Sequence, residues 1–257
     1  MQKILNEDSV YLAVDEASAG TAGVFYFKNG SQIIPFFPAV SDGLKQALKD
    51  FLKDKTLFCV LGDEQSANLV AACAAGGQKI AEIREFFLME YHSRPYLLHH
   101  AARNLCIKKC MGNSAGAQTR CKEADLLMPL QLAYIQEEVL SSSETPNVRL
   151  ERMNLERALR TQSVYMALLD NTLAGKAQTN AVGVGVVQVG GVYTRPAYRG
   201  QGVACALVRA LAEDKRAEGK GTVLYVNKTN RSAIRAYTRA GFAATDVEYR
   251  ILYYEED

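Results

Sequence analysis

The chain has 257 residues, 48% of them apolar and 23% charged, with a formal net charge of +2. That length suits one large domain or two modest ones. The composition excludes a largely disordered, collagen-like or coiled-coil chain, and so small a net charge gives no global case for a nucleic-acid binder.

The first hundred residues alternate strand and helix signals. Gly23–Lys28 and Gln32–Phe37 read as strands joined by an Asn29-Gly30 hairpin turn. Ser41 and Asp42 open a helix through Leu52. Thr56–Leu61 reads as a buried strand, Asp63–Ala75 as a helix closed by Gly76-Gly77, and Ala81–Tyr91 as a strand. Signals are mixed over His92–Ala102, and the domain boundary is placed there, dividing the chain into 1–100 and 101–257. Beyond it, Leu105–Cys110 reads as a strand, Cys121–Leu140 and Val148–Arg160 as helices around the polar break Ser141–Asn147. Val164–Leu169, Ala174–Val182 and Val186–Thr194 read as three successive strands. A helix (Gly202–Ala217), a strand (Thr222–Val226), a helix (Ser232–Arg239) and a final strand pair (Phe242–Tyr254) close the chain. This order predicts an α+β fold, a mixed and mostly antiparallel sheet flanked by helices.

No apolar run approaches the roughly 20 residues that span a bilayer. The opening MQKILNEDSV lacks the apolar core of a signal peptide, so a cytoplasmic protein with no membrane and no nucleic-acid partner is expected. The six cysteines, at 59, 73, 106, 110, 121 and 205, are too sparse for a disulfide scaffold. Cys106 and Cys110 lack a second pair at zinc-finger spacing, so reduced thiols and no metal are expected. The sequons at Asn227 and Asn230 read as coincidental.

Two motif matches fail on context. Gly112-Asn113-Ser114-Ala115-Gly116 fits a nucleophile elbow, but the histidine base should follow the serine, and His92, His99 and His100 all precede it. Gly183-Val184-Gly185-Val186-Val187-Gln188 has Gln where a dinucleotide fingerprint needs its third glycine, and it lies between strands.

The segment with chemistry is Val186–Phe242. The strand VVQVGGVYT ends at Thr194, and Tyr198-Arg199-Gly200-Gln201-Gly202-Val203-Ala204 runs into a helix. Glycines where a chain turns into a helix let backbone N–H groups point at an anion at the positive end of the helix dipole. Arg199 adds a charge-assisted donor. Residues 189–239 carry 10 basic and 3 acidic side chains, a balance of +7, against −3 for residues 1–100. That asymmetry fits a phosphorylated ligand, or simply a solvated basic helix face. Asn230, Ala233 and Tyr237 are three and four apart and share one helix face.

These residues resemble the GNAT superfamily of acyl-CoA-dependent N-acyltransferases. The likeness rests on Val192–Thr194, Arg199-x-x-Gly202-x-Ala204 and Asn230-x-x-Ala233-x-x-x-Tyr237-x-x-x-Gly241-Phe242. It is tight over 186–242 and looser over 103–257. It implies an N-acetyltransferase in which acetyl-CoA is co-substrate. The pyrophosphate would lie on Arg199, Gly200, Gln201, Gly202, Val203 and Ala204, and the pantetheine beside Val192, Tyr193 and Thr194. Asn230, Ala233 and Tyr237 would flank the cofactor. Gly190 and Gly191 fit a bulge that splays the strand. A backbone N–H near Val192 would stabilise the oxyanion. Tyr237 would protonate the leaving thiolate; a phenol with a pKa near 10 is protonated at neutral pH. The base is open: Glu137 or Glu138 on the Cys121–Leu140 helix, Glu248, or a water chain. Adjacent helical residues point about 100° apart, so at most one of the two glutamates faces the site. The acceptor is a small-molecule or peptide amine whose identity the motifs do not fix, and the oligomeric state is open.

At an offset of 166, seven positions of 56–90 match their partners: Thr56/Thr222, Val60/Val226, Ser66/Ser232, Ala67/Ala233, Glu82/Glu248, Arg84/Arg250 and Glu90/Glu256. About two are expected from average usage. The N-terminal part is therefore either a degenerate copy of the acyltransferase lobe, with Ala71 where Tyr237 would stand, or an unrelated α/β domain. The alternative to an enzyme is a non-catalytic CoA-binding or sensing module whose N-terminal domain docks a partner.

Overall fold

The computed structural model describes residues 2–4, 9–15, 20–74, 78–93, 104–112, 117–140 and 144–255. The chain divides into two compact units, Met1–Leu88 with Thr245–Asp257, and Met89–Ala244.

The N-terminal part runs β1 (Gln2–Ile4), β2 (Ser9–Asp15), β3 (Gly20–Lys28), β4 (Gln32–Phe36), α1 (Asp42–Leu52), β5 (Cys59–Asp63), α2 (Glu64–Cys73) and β6 (Ile80–Tyr91). The β3–β4 turn puts Asn29 and Gly30 at φ 51° and 70°. This left-handed pair matches the twist of a two-residue hairpin. Ser41 caps α1 by accepting from Leu44 N–H, and Asp63 caps α2 by accepting from Ser66 N–H. Leu44, Leu48 and Leu52, each four residues from the next along α1, are buried in one core with Phe25, Ile33 and Val60.

The second part runs β7 (Leu105–Lys109), α3 (Ala117–Tyr134), a π-helical turn (Ile135–Val139), α4 (Val148–Thr161), β8 (Val164–Leu169), β9 (Thr172–Val182), β10 (Val186–Thr194), α5 (Val203–Ala217), β11 (Gly221–Asn227), α6 (Arg231–Ala240) and β12 (Phe242–Tyr254). Leu127, Leu130, Leu155 and Leu159 pack α3 and α4 on Val164 and Tyr193.

The two units repeat one pairing scheme. In the first, β1/β2, β2/β3 and β3/β4 are antiparallel and β4/β5 is parallel. In the second, β7/β8, β8/β9 and β9/β10 are antiparallel and β10/β11 is parallel. A helix crosses over within each parallel pair and another follows it. The difference lies at the start: only residues 5–8 separate β1 from β2, whereas α3 and α4 lie between β7 and β8. The α+β class expected from the element order is the observed one, and the N-terminal strand order is that of the C-terminal lobe.

The expected division at residues 100 and 101 falls within 94–103, outside the described residues. The observed units are not contiguous in sequence. Tyr249–Tyr253 of β12 pairs antiparallel with Cys59–Asp63 of β5, and Leu252 and Tyr254 enter the core of the first unit. The chain's last strand thus completes its first unit, which no single cut can reproduce. Phe242–Tyr254 is one 13-residue strand, not the expected pair. Strands β1 and β2, which the sequence reading did not anticipate, precede the hairpin. Ser114, His99 and His100 lie outside the described residues. Gly183 of the near-fingerprint sits in the β9–β10 hairpin, its N–H donating to Val186 C=O at 2.8 Å.

Candidate functional site

The expected site residues other than Glu248 lie in the second unit. Strand β10 pairs in register with β9 through Gly190↔Gln178 and resumes at Tyr193↔Lys176. Gly191 and Val192 together therefore oppose one residue of β9, which is a bulge. Gly191 sits at φ +55°, and a Cβ on it would lie 3.1 Å from both Gln178 Cγ and Lys176 Nζ. On its other edge β10 pairs with β11 only from Val186↔Gly221 to Val189↔Leu224. Past the bulge the parallel strands part, as the Gly190-Gly191 pair suggested.

The open end of this splay meets the start of α5. Gly200 and Gly202 take φ +77° and +82°, and a Cβ on Gly200 would meet nothing within 4 Å. No side chain caps α5, unlike α1 and α2. The first N–H groups of a helix have no intrahelical partner, and they carry the positive end of its dipole. Val203 anchors the helix in the core at 1% exposure, Ala204 follows it, and Gln201 Nε2 donates to Ala197 C=O at 3.2 Å. At the strand end, Thr194 Oγ1 is buried without a partner. This orphaned hydroxyl, the gap between strands and the uncapped glycine turn fit a phosphorylated ligand with a polar, strand-like arm.

Arg199 Nε donates to Thr194 C=O at 3.1 Å, and its Nη2 donates to both carboxylate oxygens of Glu137 at 2.6 and 2.8 Å. Tyr193 is buried at 5% exposure and its hydroxyl donates to Glu137 Oε2 at 2.8 Å. Burial and then this carboxylate raise the phenol's pKa. Glu138 faces other groups. Burial, then the charge of Glu137, push its carboxyl above the ordinary carboxylate range, with Arg199 opposing. It acts on Tyr134 and Tyr237. Both glutamates thus border expected site residues, Glu137 at Arg199 and Tyr193 and Glu138 near Tyr237, whereas the angular argument placed at most one of them there. They lie on the π-helical turn, where Leu140 N–H reaches back to Ile135 C=O at 3.0 Å. Such turns occur often at functional sites.

Tyr237 is 8% exposed. Burial foremost, then Tyr134 and Glu138, raise its pKa, so its hydroxyl keeps its proton. Its neighbours on α6 have structural duties as well. Asn230 Oδ1 accepts from Ala233 N–H at 3.0 Å and from Ser232 Oγ at 2.8 Å, so Asn230 is the N-cap of α6. Ala233 is half-buried beside it. Glu248 belongs to the first unit. Among the described residues no group of three or more His, Cys, Asp or Glu could hold a metal. No helix of theirs is long and apolar enough to cross a membrane.

Two residues of this cluster escaped the sequence reading, Tyr134 and Lys176. Lys176, at 1% exposure, donates from Nζ to Gly191 C=O at 3.1 Å and lies 5.2 Å from the Tyr134 ring centre. Its signal was a lone lysine in the otherwise small and apolar run Leu173-Ala174-Gly175-Lys176-Ala177.

The unit-1 counterparts of this site are closed by the chain itself. Phe37, just after β4, has its N–H bonded to Ser66 Oγ at 2.9 Å and its C=O to Gln65 Nε2 at 3.1 Å. Pro35 lies 3.0 Å from where a Cβ on Gly62 of β5 would stand.

The model of the acetyltransferase (GNAT) family matches residues 132–242. No curated protein matches the chain. Among solved structures, a GNAT-family acetyltransferase from Colwellia psychrerythraea aligns over 97% of this chain and 86% of its own, with 9% identity and a TM-score of 0.60. A putative GNAT acetyltransferase from Novosphingobium aromaticivorans aligns over 88% and 85%, with 20% identity and a TM-score of 0.53. A tandem GNAT protein from the clavulanic acid biosynthesis pathway aligns over 97% and 84%, with 13% identity and a TM-score of 0.51. At these identities the likeness is one of fold.

Proposed function

We propose that this chain, whose residues 132–242 match the model of the acetyltransferase (GNAT) family, is a member of that family and moves an acetyl group from acetyl-CoA to an amine by direct attack in a ternary complex. The observation that carries this reading is the meeting of three features in one unit: the β10–β11 splay, the uncapped glycine turn into α5, and the buried Tyr237 hydroxyl.

Acetyl-CoA supplies the activated thioester. The residues that would hold it are Arg199, Gly200, Gln201, Gly202, Val203 and Ala204 at its phosphates, and the backbone of Val192, Tyr193 and Thr194 along its arm. Anions at a helix N-terminus are stabilised by free N–H donors and the dipole together. Arg199 must exchange Glu137 for phosphate, an anion-for-anion swap that keeps its charge paired. Val192 N–H, beside the bulge, is the oxyanion donor in this reading. Glu138 accepts the proton of the attacking amine, directly or through water, because a raised pKa makes a carboxylate a better base near neutral pH. Tyr237 donates its proton toward the leaving sulfur. Asn230 and Ala233 shape the α6 wall beside it. The acceptor class is a primary amine on a small molecule or peptide, and the cytoplasm is the expected compartment.

Calorimetric titration with acetyl-CoA, followed by thiol-release assays over a panel of amines, tests the proposal. Binding with acceptor-dependent thiol release is the expected result. Binding with no release to any amine would replace the enzyme by a CoA-sensing module, and no binding would end both.

A further inference from the structure

We propose that Lys176 is a positioning residue that sharpens the oxyanion donor from behind, by placing an ammonium on the carbonyl of the peptide whose N–H belongs to Val192. The inference rests on the acyltransferase reading in one respect, the use of that N–H.

A lysine at 1% exposure is costly, because burial disfavours the charged form and leaves three donors to satisfy. Nothing in the packing of β9 requires a charge there, since a methionine fills similar volume without one. The position is explained by what the ammonium touches. Nζ donates to Gly191 C=O at 3.1 Å and sits 5.2 Å from the centre of the Tyr134 ring. The Tyr134 hydroxyl also faces the Gly191 backbone, which opposes the rise that burial gives its pKa. The buried Lys176 of β9 and the half-buried Tyr134 of α3 therefore both lie against the bulge residue. The position favours glycine, at φ +55° and with Nζ 3.1 Å from a would-be Cβ, closer than an ordinary contact.

The consequence follows from peptide geometry. In a trans peptide the C=O and the following N–H point in opposite directions. With Gly191 C=O turned inward to Lys176, Val192 N–H points the other way, out from the core. The bulge leaves Val192 outside the in-register pairs with β9. A positive charge at the carbonyl end polarises the peptide and strengthens its N–H as a donor, an effect that is larger in a low-dielectric interior. The lysine thus lends charge to the oxyanion site without touching substrate.

The groups facing Lys176 are Glu151 on α4, Cys110 after β7 and Tyr134 on α3. Burial pushes the Cys110 thiol up to about 12 and raises Tyr134, so both stay neutral. Glu151, 7% exposed and accepting from Gln131 Nε2 at 2.7 Å, supplies the counter-charge. Burial lowers Lys176 to about 8, with Glu151 opposing, so the ammonium predominates at neutral pH and is lost just above it.

The test has one arm without ligand. In the free protein, the Val192 amide resonance should move with pH through a midpoint near 8, and should stop doing so in Lys176→Met. A resonance blind to this titration overturns the proposal. In the second arm, Lys176→Met should lower kcat about 10- to 100-fold while acetyl-CoA affinity stays within about threefold. Lys176→Gln, a neutral donor, should fall between. Wild-type kcat in Lys176→Met, or kcat and affinity falling in proportion, would also overturn it. If Lys176→Met does not fold, the wild-type titration decides alone. A wild-type protein that transfers nothing to any amine sinks the proposed function instead, and leaves the amide titration readable.

Discussion

Arg199 holds both carboxylate oxygens of Glu137, at 2.6 and 2.8 Å, so the cation suited to an anionic ligand already has a carboxylate partner. The pair is partly exposed, with side chains 46% and 39% accessible. Pairs of this kind contribute at most about 1 kcal/mol, which sets the scale of the competition. Glu137→Gln should therefore tighten acetyl-CoA up to about fivefold at low salt, the gain fading as salt rises. Arg199→Ala should weaken it about tenfold or more. Calorimetry on both variants checks this, and weaker binding by Glu137→Gln would count against the exchange.

Tyr237→Phe removes one hydroxyl from a buried ring that packs near Phe242, their centroids 6.4 Å apart. The ring and its packing remain. Turnover should fall about 10- to 100-fold with acetyl-CoA affinity little changed. Wild-type turnover in this variant would discard Tyr237 as the acid.

Glu138 must be ionised to accept a proton, and its pKa is raised by burial and by Glu137. The rate should therefore rise with pH through a midpoint above the ordinary carboxylate value of about 4.3. Glu138→Gln should abolish that limb and lower kcat/KM. An unchanged acid limb in the variant assigns it to another group.

Calorimetry should return one acetyl-CoA per chain. The first unit has the strand order of the second but not its open positions. Ser41 Oγ occupies Leu44 N–H at the start of α1, and Ser66 and Gln65 occupy the backbone of Phe37. A stoichiometry of two would overturn this account. Ser66→Ala should meanwhile cost about 1–3 kcal/mol of stability, because it leaves a buried N–H without a partner.

Truncation after Ala244 should unfold the first unit and spare most of the second. It removes the partner of β5 and takes Leu252 and Tyr254 from the core. It also removes Arg250, whose guanidinium bridges Glu64 and Glu85 at 2.7 and 3.0 Å. Limited proteolysis should then cut within 20–88 first. Equal protection of both units would contradict the placement of the last strand.

Much of the secondary structure was legible because its signals are local. The Asn29-Gly30 turn, the Ser41 cap and the Val186–Thr194 strand with its glycine bulge each depend on a few neighbouring residues. The single long β12 differs from the expected pair over Phe242–Tyr254. In the structure Thr245 Oγ1 donates to Leu88 C=O at 3.2 Å, and the strand continues. The angle between Glu137 and Glu138 put at most one of them at the site, whereas both border it; which neighbour each meets depends on the π-helical turn, and that has no sequence signature here.

The sequence by itself determined the element order from β3 through α6, the glycine-rich turn into α5 and the positions of Arg199 and Tyr237, since these follow from backbone propensity and spacing along one helix or strand. Only the tertiary structure decided that the last strand completes the first unit, that Glu137 grips Arg199, and that Lys176 lies buried beneath Gly191. Those facts join residues 62, 15 and nearly 200 positions apart. Long-range pairing and burial arise from packing across the sheet, and no local pattern encodes them.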